Sequence, residues 1–384
     1  MRIGINILYL LPGIVGGMET YAAGLLTGLA KVAQDHEIVA FVNREASDWP
    51  LPASPNLTRV ICPVSATSRL SRYFYEQVRL PGLLRDWRVD VTHSLGYVGP
   101  VSLPCASVLT IPDPNYVDIG HTMPLHRRLP LRLVSTQAAR TADVIVTISD
   151  FSKRRLCETL NLPADKITVT HLAPRTEMHV APAANWEEVR SQYNIREPYI
   201  VAFGGGAVHK NIPTLLQAVA TLDKSLPHQL VIIGHIPPNV DKAAIAAPHG
   251  EGNRIVATGY VPGEHIPALL GHADLFVLPS LYEGFGLPVL EAQQAGVAVA
   301  CSTAGSLPEI AGEGALLFDP YSVDDIASKI AACLSDVELR SRLCRLGQAN
   351  LGRFSWEKTA TETLRVYEKA LALSGHKAGA TIVS

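Results

Sequence analysis

Residues 274–296 read Asp274-Leu275-Phe276-Val277-Leu278-Pro279-Ser280-Leu281-Tyr282-Glu283-Gly284-Phe285-Gly286-Leu287-Pro288-Val289-Leu290-Glu291-Ala292-Gln293-Gln294-Ala295-Gly296. The apolar run 274–278 has strand character and stops at Pro279-Ser280. A loop with two glycines, Gly284 and Gly286, follows. Pro288 suits the first turn of a helix, where its missing N–H costs nothing, and Gly296 is a natural stop. The stretch therefore reads strand, glycine-rich loop, short helix. Backbone N–H groups of such a loop suit an anionic group such as a pyrophosphate. Glu283 lies in the loop, and Glu291 lies one turn into the helix, facing back toward it. Carboxylates are poor phosphate ligands but good acceptors for ribose or sugar hydroxyls. Taken singly, each glutamate reads more plainly as a surface carboxylate or a helix-dipole partner.

Working outward, the same alternation fills the chain. Toward the N-terminus, strands are expected at Arg2–Tyr9, His36–Asn43, Leu57–Cys62, Val89–His93, Ala106–Ile111 and Val144–Ile148. Helical spacing covers Glu19–Ala33, Ser68–Asp86, Leu131–Thr141 and Ser152–Thr159. The proline- and alanine-containing segment Ala173–Trp186 reads as a connection. A second series then begins with the strand Tyr199–Phe203 and the helix Ile212–Leu222. It continues through Ala298–Ser302 to helices at Ser322–Cys333 and Asp336–Asn350. A long amphipathic helix is expected at Phe354–Leu373, with a loose tail over 374–384. Alternation of this kind implies parallel sheets covered on both faces.

Each series carries a glycine-rich turn after its first strand. Gly16-Gly17-Met18-Glu19 opens the first helix. It reads as a tight turn or as a place where a substrate phosphate or sugar approaches the backbone. Gly204-Gly205-Gly206-Ala207-Val208-His209-Lys210-Asn211 opens the second series, and Lys210 at its rim is placed to neutralise a leaving diphosphate. An exposed lysine at a helix start is the equally plain alternative. Histidines in the first half, His93 and His121, are more often structural than catalytic.

The phrase Glu283-Gly-Phe-Gly-Leu-Pro-x-x-Glu291 closely resembles the E-x7-E motif of retaining glycosyltransferases of family 4, also called group 1. Gly204–Asn211 is similar to that family's G-x5-K-N/G segment, and Gly16–Glu19 to its G-G-x-E loop. Thr258-Gly-Tyr-Val261-Pro262, Ser302-Thr-Ala-Gly-Ser-Leu-Pro-Glu309 and Leu316-Leu-Phe-Asp-Pro320 resemble further family segments. Phe354-Ser-Trp356 with Ala360 and Tyr367 resembles its C-terminal signature. The likeness is strong over most of 200–370 and weak in the first half.

The resemblance implies the two-domain GT-B architecture, two doubly wound Rossmann-like domains facing a cleft. They would span an N-terminal acceptor-side domain, 1–175, joined by the C-terminal helix at about 355–373, and a C-terminal donor domain, 176–354. It implies transfer of a sugar from a nucleotide diphosphate to an acceptor hydroxyl, with retention. Lys210 and Glu283 would be catalytic. Gly16, Gly17, Gly204, Gly205, Val261, Gly284, Phe285, Gly286, Leu287 and Glu291 would complete the donor side, with Val261 near the base and Glu291 at the ribose. Two departures stand out. The family's arginine four or five residues before the lysine is replaced by Gly205 and Gly206, and its Thr-x-His-Asp segment by Thr110-Ile-Pro112-Asp113. Asp113, His93 and His121 are then the candidates for the acceptor or sugar side. The glycine-rich variant and Ser-Leu-Pro-Glu309 are most like bacterial mannosyltransferases, so GDP-mannose is the expected donor and a lipid-linked surface polysaccharide the expected acceptor. A nucleotide-sugar epimerase or hydrolase, or a non-catalytic nucleotide-sugar-binding scaffold, is the alternative.

Bulk properties agree with two domains, since 384 residues exceed the roughly 100–200 of one. Net charge is −2, which argues against a nucleic-acid partner. Residues 1–175 carry 18 basic and 14 acidic side chains, so the first half has the basic excess. The six cysteines form no C-x-x-C pair and fit reduced thiols in a cytoplasmic protein. The chain opens directly into a strand, with no signal-peptide pattern and no run of about 18 apolar residues. Neither H-E-x-x-H nor D-x-D occurs, so no metal and no cofactor are expected. The helix 68–86 carries Arg69, Arg72, Arg79 and Arg85 with Tyr73, Phe74 and Tyr75. With Arg127, Arg128 and Arg132 these could dock on anionic lipid at the inner face of the plasma membrane. The plainer expectation is an ordinary surface helix using Tyr and Phe as core.

Overall fold

The structure, a computed structural model, describes residues 1–175, 185–223, 226–236 and 254–381. It forms two compact units, Met1–Ala173 with Phe354–Ser384 and Pro174–Arg353. Most of the expected connection, 176–184, lies outside the described residues. Arg175, placed in the first domain by the sequence reading, belongs to the second unit.

The first unit holds seven parallel strands, β1 (Arg2–Asn6), β2 (Glu37–Val42), β3 (Leu57–Ile61), β4 (Val91–Ser94), β5 (Ala106–Thr110), β6 (Val144–Thr147) and β7 (Ile167–Val169). Their order is β3-β2-β1-β4-β5-β6-β7. The order reverses between β1 and β4, the kind of switch point beyond whose carboxyl ends open α/β sheets bind ligands. In β2, Ile38 to Val42 are buried without a break, as expected of a parallel strand covered on both faces.

The second unit holds six parallel strands, β8 (Tyr199–Phe203), β9 (Gln229–Ile233), β10 (Ile255–Ala257), β11 (Leu275–Leu278), β12 (Val299–Ser302) and β13 (Leu316–Phe318), in the order β10-β9-β8-β11-β12-β13. Its switch point falls between β8 and β11. Side chains alternate across this sheet with the period of two that strands require. Leu275 and Val277 join Ile200 and Ala202 in one core cluster, against the helix Ile212–Thr221. Phe276 and Leu278 join Tyr199 and Val201 in the other, against the helix Leu287–Gln294. Both units are therefore doubly wound, and the short strands β7 and β13 are edge strands that the hydrophobic pattern alone marks weakly.

The C-terminal helix, Trp356–Thr381, completes the first unit. It packs on the helix Gly17–Val32, where Gly24 and Gly28 make room for it. A Cβ at Gly24 would run into the Trp356 ring, and one at Gly28 into the Trp356 carbonyl. Trp356 is buried, Lys31 pairs with Glu357 at 2.6 Å, and Lys369 donates to the Asp165 carbonyl. The helix continues past Leu373 to Thr381, where a loose tail was expected. Ala370–Leu373 and Ala378 are strong helix formers, and only Gly375 and Gly379 oppose them. Residues 382–384 lie outside the described residues.

Candidate functional site

In the second unit, the loop after β11 and the turn after β8 meet. Val208–Lys210 forms a 3₁₀ turn, and Asn211 takes a left-handed conformation at φ 56° to start the helix Ile212–Thr221. Asn211 is locked there, donating to the Pro320 carbonyl at 2.8 Å and accepting from Thr214 Oγ1 at 2.6 Å. The Leu281 amide donates to the His209 carbonyl at 2.7 Å, tying the two segments together. Lys210 Nζ then lies 2.8 Å from Glu283 Oε1, and the same oxygen accepts from Ser280 Oγ at 2.7 Å.

A third segment clamps this arrangement from behind. Ser306 Oγ donates to the carbonyls of Glu283 and Phe285 at 3.1 and 2.6 Å, and Ser302 Oγ to that of Ser280. Gly305 sits at φ 67°, and a Cβ there would strike the Glu283 carbonyl. Gly286 sits at φ 111° at the mouth of the helix Leu287–Gln294, with space for a Cβ closed by Leu307 at 2.7 Å. Gly305 thus demands glycine twice over, by backbone conformation and by contact with backbone, and Gly286 by backbone conformation. The serines 280 and 306 escaped the sequence reading as site residues, although Ser306 lies within the quoted 302–309 segment. A hydroxyl that donates to a carbonyl distant in sequence leaves no local signal.

The electrostatics favour a charged pair. Burial alone would raise the Glu283 carboxyl. The Lys210 charge and the hydrogen bonds from Lys210 and Ser280 outweigh it and hold the group below its ordinary value. His209 is pushed down by burial and by Lys210, so it stays neutral beside the pair. Glu291 is buried one turn into its helix, and burial raises its carboxyl against the opposing pull of Arg175, whose Nε lies 3.2 Å away. Arg175 brings a cation into the unit where the sequence had found one missing.

The remaining donor-side positions are also placed. Gly204 packs closely against Ile232 and the His235 carbonyl, and Gly205 follows it in the loop. Gly284, Phe285 and Leu287 lie in the clamped loop and helix start, with Phe285 buried. Val261 packs half-buried at the edge of the Tyr199–Phe276 cluster.

The first unit carries the other candidates. Gly16 caps the helix that Gly17 begins, and Glu19 closes the turn, accepting from the Gly13 amide at 2.8 Å and Trp49 Nε1 at 3.0 Å. Asp113 accepts from Tyr97 OH at 3.2 Å and from the Asn115 amide at 3.0 Å, which starts a short helix. His93 corrects the expectation of an acceptor-side group. It is fully buried, with Nε2 2.7 Å from Thr110 Oγ1 and Nδ1 2.9 Å from Tyr367 OH on the C-terminal helix. Burial drives its pKa down to about 3, so it is a neutral core residue with both nitrogens occupied. The His121 side chain lies outside the described residues.

Comparison with known proteins decides the family. The family model of glycosyl transferases group 1 matches residues 185–349, and that of glycosyltransferase family 4 matches residues 15–177. O-antigen chain mannosyltransferase B of Escherichia coli is 33% identical over 289 residues, covering 74% of this chain and 76% of that protein. This chain belongs to the group 1 glycosyltransferases of family 4. Sucrose-phosphate synthase of Thermosynechococcus elongatus shares the fold, with a TM-score of 0.73 at 18% identity over 97% of this chain and 99% of that one. Anabaena HepE, solved with UDP-glucose, matches at a TM-score of 0.69 and 17% identity over 96% of this chain and 99% of that one. The transferase thus has the GT-B architecture and is an enzyme of the glycosyl-transferring class. Among its described residues no helix is long and apolar enough to cross a membrane.

Proposed function

We propose that this transferase moves mannose from GDP-mannose to a hydroxyl of a growing saccharide, with retention at the anomeric carbon. The acceptor in this reading is a lipid-linked surface polysaccharide, met at the inner face of the plasma membrane. The observation that carries the reading is the Lys210–Glu283 pair at the start of the Ile212–Thr221 helix. The mannosyl donor is supported by the likeness to O-antigen chain mannosyltransferase B.

When the donor binds, its diphosphate takes the Lys210 charge and the amides of the 284–287 loop. Preorganised donors contribute most where charge develops, here on the departing diphosphate. Glu283, still accepting from Ser280, turns to hydroxyls of the donor sugar. Glu291 holds the ribose, with the Arg175 charge opposing the burial that raises its carboxyl. The departing phosphate accepts the proton of the attacking hydroxyl, so no side chain becomes a covalent nucleophile. Neutral His93 takes no part. No metal enters this scheme.

The test is transfer to a mannose-terminated acceptor with GDP-mannose, UDP-glucose and ADP-glucose in parallel, with the product anomer assigned by NMR. Turnover of GDP-mannose with retention is the expected result. Preference for another donor, inversion, or equal turnover without acceptor would overturn the reading, the last in favour of a hydrolase.

A further inference from the structure

Three segments build the loop around Glu283: 203–211, 279–296 and 302–309. Together they carry three carboxylates, Glu283, Glu291 and Glu309, and a single permanent cation, Lys210. His209 adds no charge, because burial and Lys210 hold its pKa down. Lys210 is itself engaged by Glu283. A diphosphate brought to this loop would meet an excess of negative charge, and more develops on it as the sugar leaves. A second cation has to come from outside the three segments.

Arg175 supplies a basic side chain there. Its Nε lies 3.2 Å from Glu291 Oε1, so Glu283 and Glu291 each have a basic partner from another part of the same unit. The two pairs differ in cover. The Lys210 and Glu283 side chains are 23 and 14% exposed, whereas Arg175 is 46% exposed against a Glu291 that is 9% exposed. Arg175 is therefore anchored through Nε and open to solvent over much of its length. Glu291 stands one turn after Leu287, about 6 Å along the helix axis. Helical side chains lean toward the N-terminus, so its carboxylate and the guanidinium it holds lie back toward the loop amides at Gly286.

The chemistry of a nucleotide fits that spacing. Its 3′-hydroxyl and α-phosphate are joined through C3′, C4′, C5′ and O5′ alone, so a carboxylate that binds the ribose puts its own partner beside the first phosphate. A guanidinium is planar, permanently charged and forked. It can donate from Nε to a carboxylate and from its terminal nitrogens to phosphate oxygens at once.

We infer that Arg175 is a donor-binding residue, holding Glu291 through Nε and the α-phosphate of the nucleoside diphosphate through its terminal nitrogens, while Lys210 takes the β-phosphate from which the sugar departs. This deepens the donor-site reading under Proposed function and rests on it. The bond from the anomeric carbon to the β-phosphate oxygen breaks with its electron pair going to that oxygen. The acceptor oxygen forms the new bond, and its proton goes to the departing phosphate. Arg175 moves no proton. The α-phosphate is charged before and during the reaction, so Arg175 acts mainly on donor and product affinity and less on kcat.

The experiment is calorimetric titration of the whole protein with GDP, and with UDP in parallel, on a double-mutant cycle of Arg175→Ala and Glu291→Gln. A residue that only orients Glu291 loses its effect once that carboxylate is gone, whereas a phosphate ligand keeps it. Arg175→Ala is expected to weaken nucleoside diphosphate binding by about 10- to 100-fold in both backgrounds, with donor KM rising in step. Arg175→Lys, which keeps the charge but not the fork, should recover part of the loss. So should Gly206→Arg in the Arg175→Ala background, since Gly206 is exposed and a Cβ there meets nothing within 4 Å. Wild-type binding of GDP that survives Arg175→Ala unchanged overturns the inference while leaving the donor-site reading intact. An effect that vanishes in the Glu291→Gln background overturns it in favour of a positioning role, and a loss that neither Arg175→Lys nor Gly206→Arg reduces overturns charge as its cause. Wild-type protein that binds neither GDP nor UDP removes the donor-site reading and this inference with it.

Discussion

Acidification provides a direct test of the place assigned to His93. Its folded pKa is about 3, against about 6.5 for an unperturbed imidazole. Between those values the unfolded chain binds a proton that the folded chain refuses. The contribution of this group to stability is therefore intact above pH 6.5 and is lost as pH falls toward 3. The slope approaches about 1.4 kcal/mol per pH unit, so the loss attributable to His93 is about 2 kcal/mol at pH 5 and about 3 kcal/mol at pH 4. Urea unfolding in a Trp186→Phe background reads the first unit alone, because Trp49, Trp87 and Trp356 all lie in it. The same series is run on His93→Gln. That variant loses about 1–3 kcal/mol at neutral pH from the disturbed Thr110 and Tyr367 bonds. What discriminates is the pH dependence. Between pH 7 and pH 5 the histidine protein is expected to lose about 2 kcal/mol more than the glutamine protein, with the other histidines cancelling in the difference. Parallel curves would refute the assignment of a neutral core histidine and reopen it as a titrating group.

Glu283→Gln keeps the shape of the loop but removes the partner of Lys210, and kcat is expected to fall by roughly 10²–10³ with a smaller change in donor KM. A variant within about threefold of wild type in kcat would sink the role given to that carboxylate. Arg175→Ala removes the cation opposing the burial of Glu291, so that carboxyl rises further and protonates sooner. The acid-side increase of donor KM should then begin at a higher pH than in the parent, and an unchanged KM profile counts against Glu291 acting as an ionised ribose acceptor. Gly24→Val drives a side chain into Trp356 and should cost about 1–3 kcal/mol in urea unfolding of the first unit. Gly82→Ala, where nothing lies within 4 Å, serves as the matched helix control and should be neutral or slightly stabilising.

The features legible in the sequence were those written in short-range pattern. The run 274–278 announced β11 because its apolar residues are contiguous, and Pro288 with Gly296 bounded the helix that follows. Lys210 and Glu283 could be named because each sits beside glycines whose backbone roles are local. Their meeting is long-range in sequence, and the motif resemblance rather than any periodicity brought them together. His93 was opaque for the opposite reason. A histidine closing a strand looks the same whether its ring faces solvent or a tyrosine 274 positions away. Arg175 looked like the end of a basic half-chain, and only tertiary structure joins it to Glu291. The helix 69–78 was half legible: Tyr75 packs against the core as expected while Phe74 stands exposed, because amphipathicity has a period but no sign.

The helix Trp356–Thr381 has a consequence for how the protein is made. The β-strands of the first unit leave the ribosome early, yet the partner that fills the groove at Gly24 and Gly28 and closes over His93 is not made until after residue 353. Residues 174–353 must be translated in between, which takes roughly 10–40 s at ordinary elongation rates. Throughout that interval the nascent first unit carries an open apolar groove, while the second unit is contiguous and can close on its own as it emerges. Premature termination just before residue 354 would therefore spare the later-made unit and cripple the earlier one, a polarity opposite to that of a simple tandem protein. For the same reason, a fragment intended to isolate the first unit should be built by joining residues 1–173 directly to 354–381.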